Sequence, residues 1–332
     1  MKFGFAFGAA LLVAAASTRS LRAQARTGAD RPFVIPPWAF PTTTPSGRPP
    51  GPPPDTTEML HVPNSTRALT ILQVRDRLNP PDWFPGSHPS APPAVIHARS
   101  DAKYACGFCH LPDGQGRSEN ATIVGLPLDY FLRQIADIKS GARVSAVHEW
   151  APMTGMRLVA TNITDEEALA AAQYFGAMRA KPRYRVVETH RVPATYEAGS
   201  LLAARTGADS EPIAGRLLEM SNDIERHELR DPSEAFTTFV PRGSISRGRR
   251  IAYAASPGSP TRCANCHGPA LRGVGVVPPL AGRSPAYILR QLIGFRTGAR
   301  SAPASAPMQL VTSRLTIDDM VAVAAYAGSR TP

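Results

Sequence analysis

All four cysteines of the chain fall in two short runs, Cys106-Gly107-Phe108-Cys109-His110 and Cys263-Ala264-Asn265-Cys266-His267. Such runs admit three chemistries. Two Cys-x-x-Cys pairs together supply the four thiolates of a structural zinc site. Each pair alone has the spacing of a dithiol that exchanges disulfides. Two cysteines followed directly by histidine also form the attachment run of a c-type haem. The surroundings of the two runs decide between these.

Moving the sequence by 157 positions places Cys106, Cys109 and His110 on Cys263, Cys266 and His267. At the same offset Tyr130-Phe131-Leu132-Arg133-Gln134-Ile135 falls on Tyr287-Ile288-Leu289-Arg290-Gln291-Leu292, and Gly141-Ala142-Arg143 on Gly298-Ala299-Arg300. With five residues fewer in the second copy, Met156-Arg157-Leu158-Val159 then falls on Met308-Gln309-Leu310-Val311, and Ile163-Thr164 on Leu315-Thr316. The chain therefore holds two copies of one unit.

Each copy reads as helical. Phe131, Ile135 and Ile138 in one, and Ile288, Leu292 and Phe295 in the other, lie at i, i+4 and i+7, which gives each helix a single apolar face. Gly141 and Gly298 fit its C-terminal cap. The last helix of each copy starts at Thr164 or Thr316 with Glu167 or Asp319 three residues on, a capping box, and runs through Tyr174 or Tyr326. A zinc site shared by pairs in two separate copies leaves the histidines unexplained, and a thioredoxin-like dithiol needs a βαβ setting that is missing here. Covalent haem accounts for every residue of the runs: the two thiols add to the two vinyl groups of one porphyrin, and the histidine faces the iron.

With these motifs in place, the chain resembles the bacterial diheme c-type cytochromes built from two tandem class I cytochrome c domains. The resemblance covers about 95–180 and 241–332 and rests on CGFCH and CANCH, on DYFLRQIADIKSGAR and PAYILRQLIGFRTGAR, and on MRLVATNITDEE and MQLVTSRLTIDD. It implies an all-α fold in each domain, two covalently bound haem c groups and an exposed haem edge. It also implies a methionine loop before the last helix, so the iron ligands are His110 with Met156 and His267 with Met308, and the attachment residues are Cys106, Cys109, Cys263 and Cys266. Met153 has no partner at the repeat offset and is the alternative to Met156. His148 is a further candidate ligand, read here as a surface histidine. Members of the family often carry a proline whose carbonyl holds the proximal histidine. Pro278 fits in the second copy, whereas Ala121 stands at that position in the first, so the two haems are expected to differ in potential. Tyr130, Arg133, Tyr287 and Arg290 are placed to reach haem propionates or simply to pack.

The remaining residues set the frame. Residues 1–25 read as a signal peptide, with Lys2, an apolar run from Phe3 to about Ala16 and an Ala-Gln-Ala end, too short for a membrane span. Cleavage after Ala25 removes Lys2, Arg19 and Arg22 and takes the formal charge from +11 to +8, which suits redox partners with acidic docking surfaces; no basic tract with interleaved aromatics points to nucleic acid. Residues 26–93 form a Pro-rich arm, extended and solvated to about 58 and then packing on the first domain, with a helical piece at Ala68 to Leu78. Domain 1 spans 94–180 and domain 2 spans 241–332. The connector at 181–240 is mostly irregular, with strand-like 184–192 and 236–240. A six-coordinate His/Met iron has no open position for substrate, so the expected function is periplasmic transfer of single electrons and not catalysis. The rivals are a cytochrome subunit of a larger periplasmic dehydrogenase and a diheme oxidoreductase of peroxidase or thiosulfate dehydrogenase type with one open haem; association with a membrane respiratory complex is a further partner expectation.

Overall fold

The computed structural model describes Met1 and residues 33–42, 53–205, 207, 209–254 and 262–332. The signal peptide, Met1 apart, and most of the first Pro-rich run lie outside the described residues. The chain divides into two compact units, Met1–Val34 and Ile35–Pro332, and the second contains every element below.

The two copies fold alike. In the first, α3 (Cys106–His110), α4 (Leu128–Ser140), α5 (Ala151–Asn162) and α6 (Asp165–Gly176) follow two short helices, α1 (Ile71–Val74) and α2 (Pro93–Ile96). In the second, α9 (Cys263–His267), α10 (Pro285–Arg296), α11 (Ala306–Thr312) and α12 (Ile317–Gly328) follow α8 (Ser244–Tyr253). The expected caps form: Thr164 with Glu167 and Thr316 with Asp319 make reciprocal capping boxes, and Gly141 closes α4 at φ 81°. Phe131 packs with Phe175 in the core, Ile138 is buried on the same helix, and Ile288, Leu292 and Phe295 are buried on α10.

The copies differ in what covers the last helix. In the second, α8 crosses α12 so closely that a Cβ on Gly248 would lie 2.0 Å from the Ala322 carbonyl oxygen, so only glycine fits. In the first, the four-residue α2 takes that place against α6, with Val95 fully buried. The arm supplies the rest: Val62, Leu69, Val74 and Trp83 form a small core, and the Trp83 indole N–H donates to the Leu229 carbonyl at 2.7 Å. The arm thus packs on the connector as well as on the first copy. The expectation of a solvated run to residue 58 fails at Pro37–Ala39, a short 3-10 helix. There Ala39, Phe40 and Pro41 are buried, Phe40 meets Trp150 edge-on at 5.6 Å, and the Pro41 carbonyl accepts from the Trp150 indole. An aromatic pair in an otherwise donor-poor run is enough to dock it.

The connector is more regular than its sequence advertises. Its two strand-like runs become β1 (Tyr184–Thr189), β2 (Arg191–Pro193) and β7 (Phe236–Pro241). The short β3 (Thr195–Ala198), β4 (Leu201–Ala204) and β6 (Leu218–Ser221) complete a five-stranded mixed sheet in the order β1-β7-β6-β4-β3, while β5 (Ser210–Pro212) pairs with β2; α7 (Ile224–Glu228) lies between β6 and β7. The sheet is a junction between the copies. Glu219 on β6 is 4% exposed and accepts four hydrogen bonds: from Ser118 Oγ (2.9 Å) of the first copy, from Ser284 Oγ (2.6 Å) and the Ala286 N–H (3.2 Å) of the second, and from Thr238 Oγ1 (2.9 Å) on β7. Removing that acceptor strands four buried donors, each costing about 1–3 kcal/mol when unpaired. Glu219→Ala is therefore expected to lower the unfolding free energy of the holoprotein by at least about 3 kcal/mol in urea, whereas a loss under about 1 kcal/mol would mean that the junction is not a structural tie.

Candidate haem sites

Each Cys-x-x-Cys-His run forms just over one helical turn, so the two cysteines share a face and the histidine follows on the next position. The thiols are free and are not paired with each other. Burial pushes the Cys106 thiol up to about 12 and the Cys263 thiol up to about 11. A dithiol built for disulfide exchange needs the opposite, a thiol lowered toward the thiolate.

The histidines carry the decisive geometry. His110 Nδ1 lies 2.8 Å from the Ala121 carbonyl oxygen, and His267 Nδ1 lies 2.9 Å from that of Pro278. A carbonyl only accepts, so Nδ1 carries the proton and Nε2 keeps its lone pair for a metal. Burial holds both histidines below the ordinary value, which keeps them neutral as an iron ligand requires. The alanine of the first copy thus supplies the same carbonyl as the proline of the second.

The loop that delivers this carbonyl shares most of its backbone bonding between the copies. Gly116 N–H donates to His110 O and Gly273 N–H to His267 O, both at 2.9 Å. Arg117 and Asn120 exchange hydrogen bonds as Val274 and Val277 do, and Ile123 N–H meets Gly114 O as Leu280 N–H meets Leu271 O. A Cβ on Gly116 would lie 2.4 Å from the Ala121 oxygen and one on Gly273 would lie 2.6 Å from the Val277 oxygen, so both glycines let the loop fold tightly where it presents the carbonyl.

The methionines sit differently from the expected loop. Met156 is half-buried in α5 and Met308 half-buried in α11. Both helices begin Ala-Pro-Met, at Ala151-Pro152-Met153 and Ala306-Pro307-Met308. Counting back from the capping threonine, Met308 matches Met156; counting forward from the helix start, it matches Met153. Met153, also half-buried, therefore has a counterpart that the fixed offset hid. His148 is at the surface, its side chain 91% exposed beside Glu149.

Between the copies lies a polar seam that the repeat had marked without assigning it a role. Arg143 donates to Gln134 (2.8 Å) of its own copy and to Gln291 (3.0 Å) and Tyr287 (2.9 Å) of the other. Arg300, its repeat equivalent, donates to Gln291 (3.2 Å) and to Gln134 (2.6 Å). Val144 N–H to Ala299 O and Ser301 N–H to Ala142 O, both 2.8 Å, close a backbone bridge beside them. Equivalent residues thus meet each other across a local two-fold. Arg290 is buried over the Trp150 ring, its guanidinium carbon 4.9 Å from the centroid, while Arg133, its equivalent, is exposed. Among the described residues, the buried Nε–H groups of Arg117, Arg143, Arg283, Arg290 and Arg300 find no acceptor. Five such donors, only partly offset by buried Glu119 and Glu219, fit the carboxylates of two haems.

A closed charged cluster adjoins the first run. Arg230 stacks on Phe108 at 3.6 Å, Arg117 pairs with Glu119 at 2.9 Å, and His227 holds Glu234 at 2.9 Å on Nδ1 and Glu119 at 3.4 Å on Nε2. Burial and Arg117 push His227 down, but the two carboxylates carry it above the ordinary 6.5. Its contribution to stability is complete below pH 6.5 and is lost as pH rises through the raised folded value. The stability advantage of the parent over His227→Gln is accordingly expected to shrink as melting is followed from pH 6.5 into alkaline buffer. A difference that stays constant across that range would contradict this.

No family model matches the chain. It is 27% identical over 228 residues to the thiosulfate dehydrogenase electron acceptor of Stutzerimonas stutzeri (strain A1501), covering 68% of this chain and 78% of that one. It is also 27% identical over 244 residues to cytochrome c4 of Pseudomonas aeruginosa, covering 70% and 90%. Among solved structures, it aligns with thiosulfate dehydrogenase (TsdBA) from Marichromatium purpuratum at 25% identity and TM-score 0.43, over 69% of this chain but only 37% of that one. Reduced cytochrome c4 from Pseudomonas stutzeri aligns at 20% identity and TM-score 0.44, over 68% and 93%. The chain is thus similar, over about two thirds of its length, to cytochrome c4 and to electron acceptors of thiosulfate dehydrogenase. It carries two covalently bound haem c groups and transfers electrons.

Proposed function

We propose that Cys106 and Cys109 attach the first haem, with His110 and Met156 as its iron ligands, and that Cys263, Cys266, His267 and Met308 do the same for the second. The observation that carries this is the Nδ1 hydrogen bond to a carbonyl eleven residues on, present in both copies, which leaves each Nε2 for iron. Bound haem supplies one-electron storage at iron. The chain's residues do the rest: they fix the histidine, set a soft sulfur opposite it that favours the reduced state, and close the coordination sphere to substrate. Division of the chain into domains at 94–180 and 241–332, with the connector at 181–240, accompanies this reading.

The working place is the periplasm, reached by cleavage near Ala25. Among the described residues no helix is long and apolar enough to cross a membrane. The partners are redox proteins that present acidic surfaces to the basic chain, whose formal charge is +11 before processing. The names of two relatives, both electron acceptors of thiosulfate dehydrogenase, favour a dehydrogenase as the electron donor; association with a membrane respiratory complex is a further part of the proposal.

Ligand spectroscopy on the purified holoprotein tests the assignment. Met156→Ala and Met308→Ala should each remove one haem's share of the weak near-infrared sulfur-to-iron band and open one iron to carbon monoxide, while Met153→Ala leaves the band intact. A parent protein with a high-spin haem, or one that binds carbon monoxide freely, would overturn the carrier reading; loss of the band in Met153→Ala would move the ligand to Met153.

A further inference from the structure

Arg283 stands just before α10 in the second copy, yet its guanidinium reaches into the first. It is 5% exposed, and it donates through Nη1 to the Thr122 carbonyl and through Nη2 to the Val124 carbonyl, the latter at 2.8 Å. Thr122 directly follows Ala121, whose carbonyl receives the His110 Nδ1 proton. The planar fork of arginine spans two carbonyls of one strand of chain at once, which a point-charge lysine cannot do. At the repeat offset the first copy has Leu126 in this place, so it returns no such grip to the second copy.

The second copy does not need one. Its acceptor loop contains Pro278 and Pro279, whose rings fix φ and remove most of the freedom of the segment. The first has Ala121 and Thr122 instead, within the same set of loop hydrogen bonds.

We infer that Arg283 is a positioning residue for the first haem. It holds the Ala121 loop from across the boundary between the copies and thereby fixes the His110 ring, the task that proline performs in the second copy. The inference rests on His110 being the iron ligand proposed above. It makes the electronic state of the first haem depend on the seating of the second copy, whereas the second haem is stiffened from within.

Arg283→Lys keeps the charge and loses the fork. In the oxidised holoprotein the His110 Nδ1 proton, followed by NMR, should exchange up to about tenfold faster, the factor set by one ordinary hydrogen bond. The midpoint of the first haem should rise, because a weaker Nδ1 hydrogen bond makes the imidazole a poorer donor to iron. The His267 proton and the second midpoint should stay unchanged. Adding Ala121→Pro to the variant should restore both values, since the Ala121 N–H donates to no backbone carbonyl among the described residues. Stiffening this loop cannot replace a contact from Arg283 to a haem carboxylate, so rescue separates the two roles. Unchanged exchange and midpoint in Arg283→Lys, or failure of the proline to restore them, would overturn the inference. If Arg283→Lys alone does not fold, the double variant is expected to fold with parental exchange, and its failure would count equally against the inference. Absence of a slowly exchanging His110 proton near iron in the parent would instead overturn His110 as the ligand.

Discussion

Everything at the two sites depends on one short contact, the hydrogen bond from a histidine Nδ1 to a backbone carbonyl of the loop that follows. It fixes the tautomer, the ring plane and the neutral state in one step, and burial reinforces the last of these. The rest of each copy serves that contact. The glycine at 116 or 273 lets the loop fold tightly where it presents the carbonyl, and α4 and α10 each bury an apolar face in the core of their copy. The capped last helix anchors the segment that carries the methionine.

The second constraint is the balance of charge where the copies meet. Arginines 117, 143, 283, 290 and 300 are buried there, an arrangement that an apolar interior penalises heavily unless the charges are matched. Glu119 and Glu219 and the backbone carbonyls satisfy part of it, and the remaining donors await carboxylates of the kind haem brings. The same groups that join the copies are those left to meet haem carboxylates, which would link assembly of the seam to the loading of haem. This is also why the connector sheet matters for function: through Glu219 it ties a loop of the first copy to the start of α10 in the second.

What the sequence disclosed follows from the range of the interactions. The attachment runs, the capping boxes and the carbonyl at Ala121 or Pro278 depend on spacing within a few residues, and each stands where its pattern places it. The repeat pointed to Arg143 and Arg300 but not to their exchange of Gln134 and Gln291 across the boundary, because residues equivalent in sequence need not meet in space. Glu219 and Arg283 carry no signal, having no counterpart in the other copy and partners in the copies more than sixty residues away. The strands β3 to β6 are three or four residues long, shorter than an alternation pattern can mark. The Ala-Pro-Met start shared by α5 and α11 stands in the sequence but at an offset that neither repeat alignment uses, so only the helix starts bring the two together.

Anomalous diffraction at the iron edge from crystals of the holoprotein bears most directly on the central claim. The account predicts two iron peaks per chain, one bonded to Nε2 of His110 and one to Nε2 of His267, each with a methionine sulfur on the opposite side and with Nδ1 still on its carbonyl. A single iron, an iron bound through Nδ1, or a haem whose histidine had swung off the Ala121 or Pro278 carbonyl would contradict it.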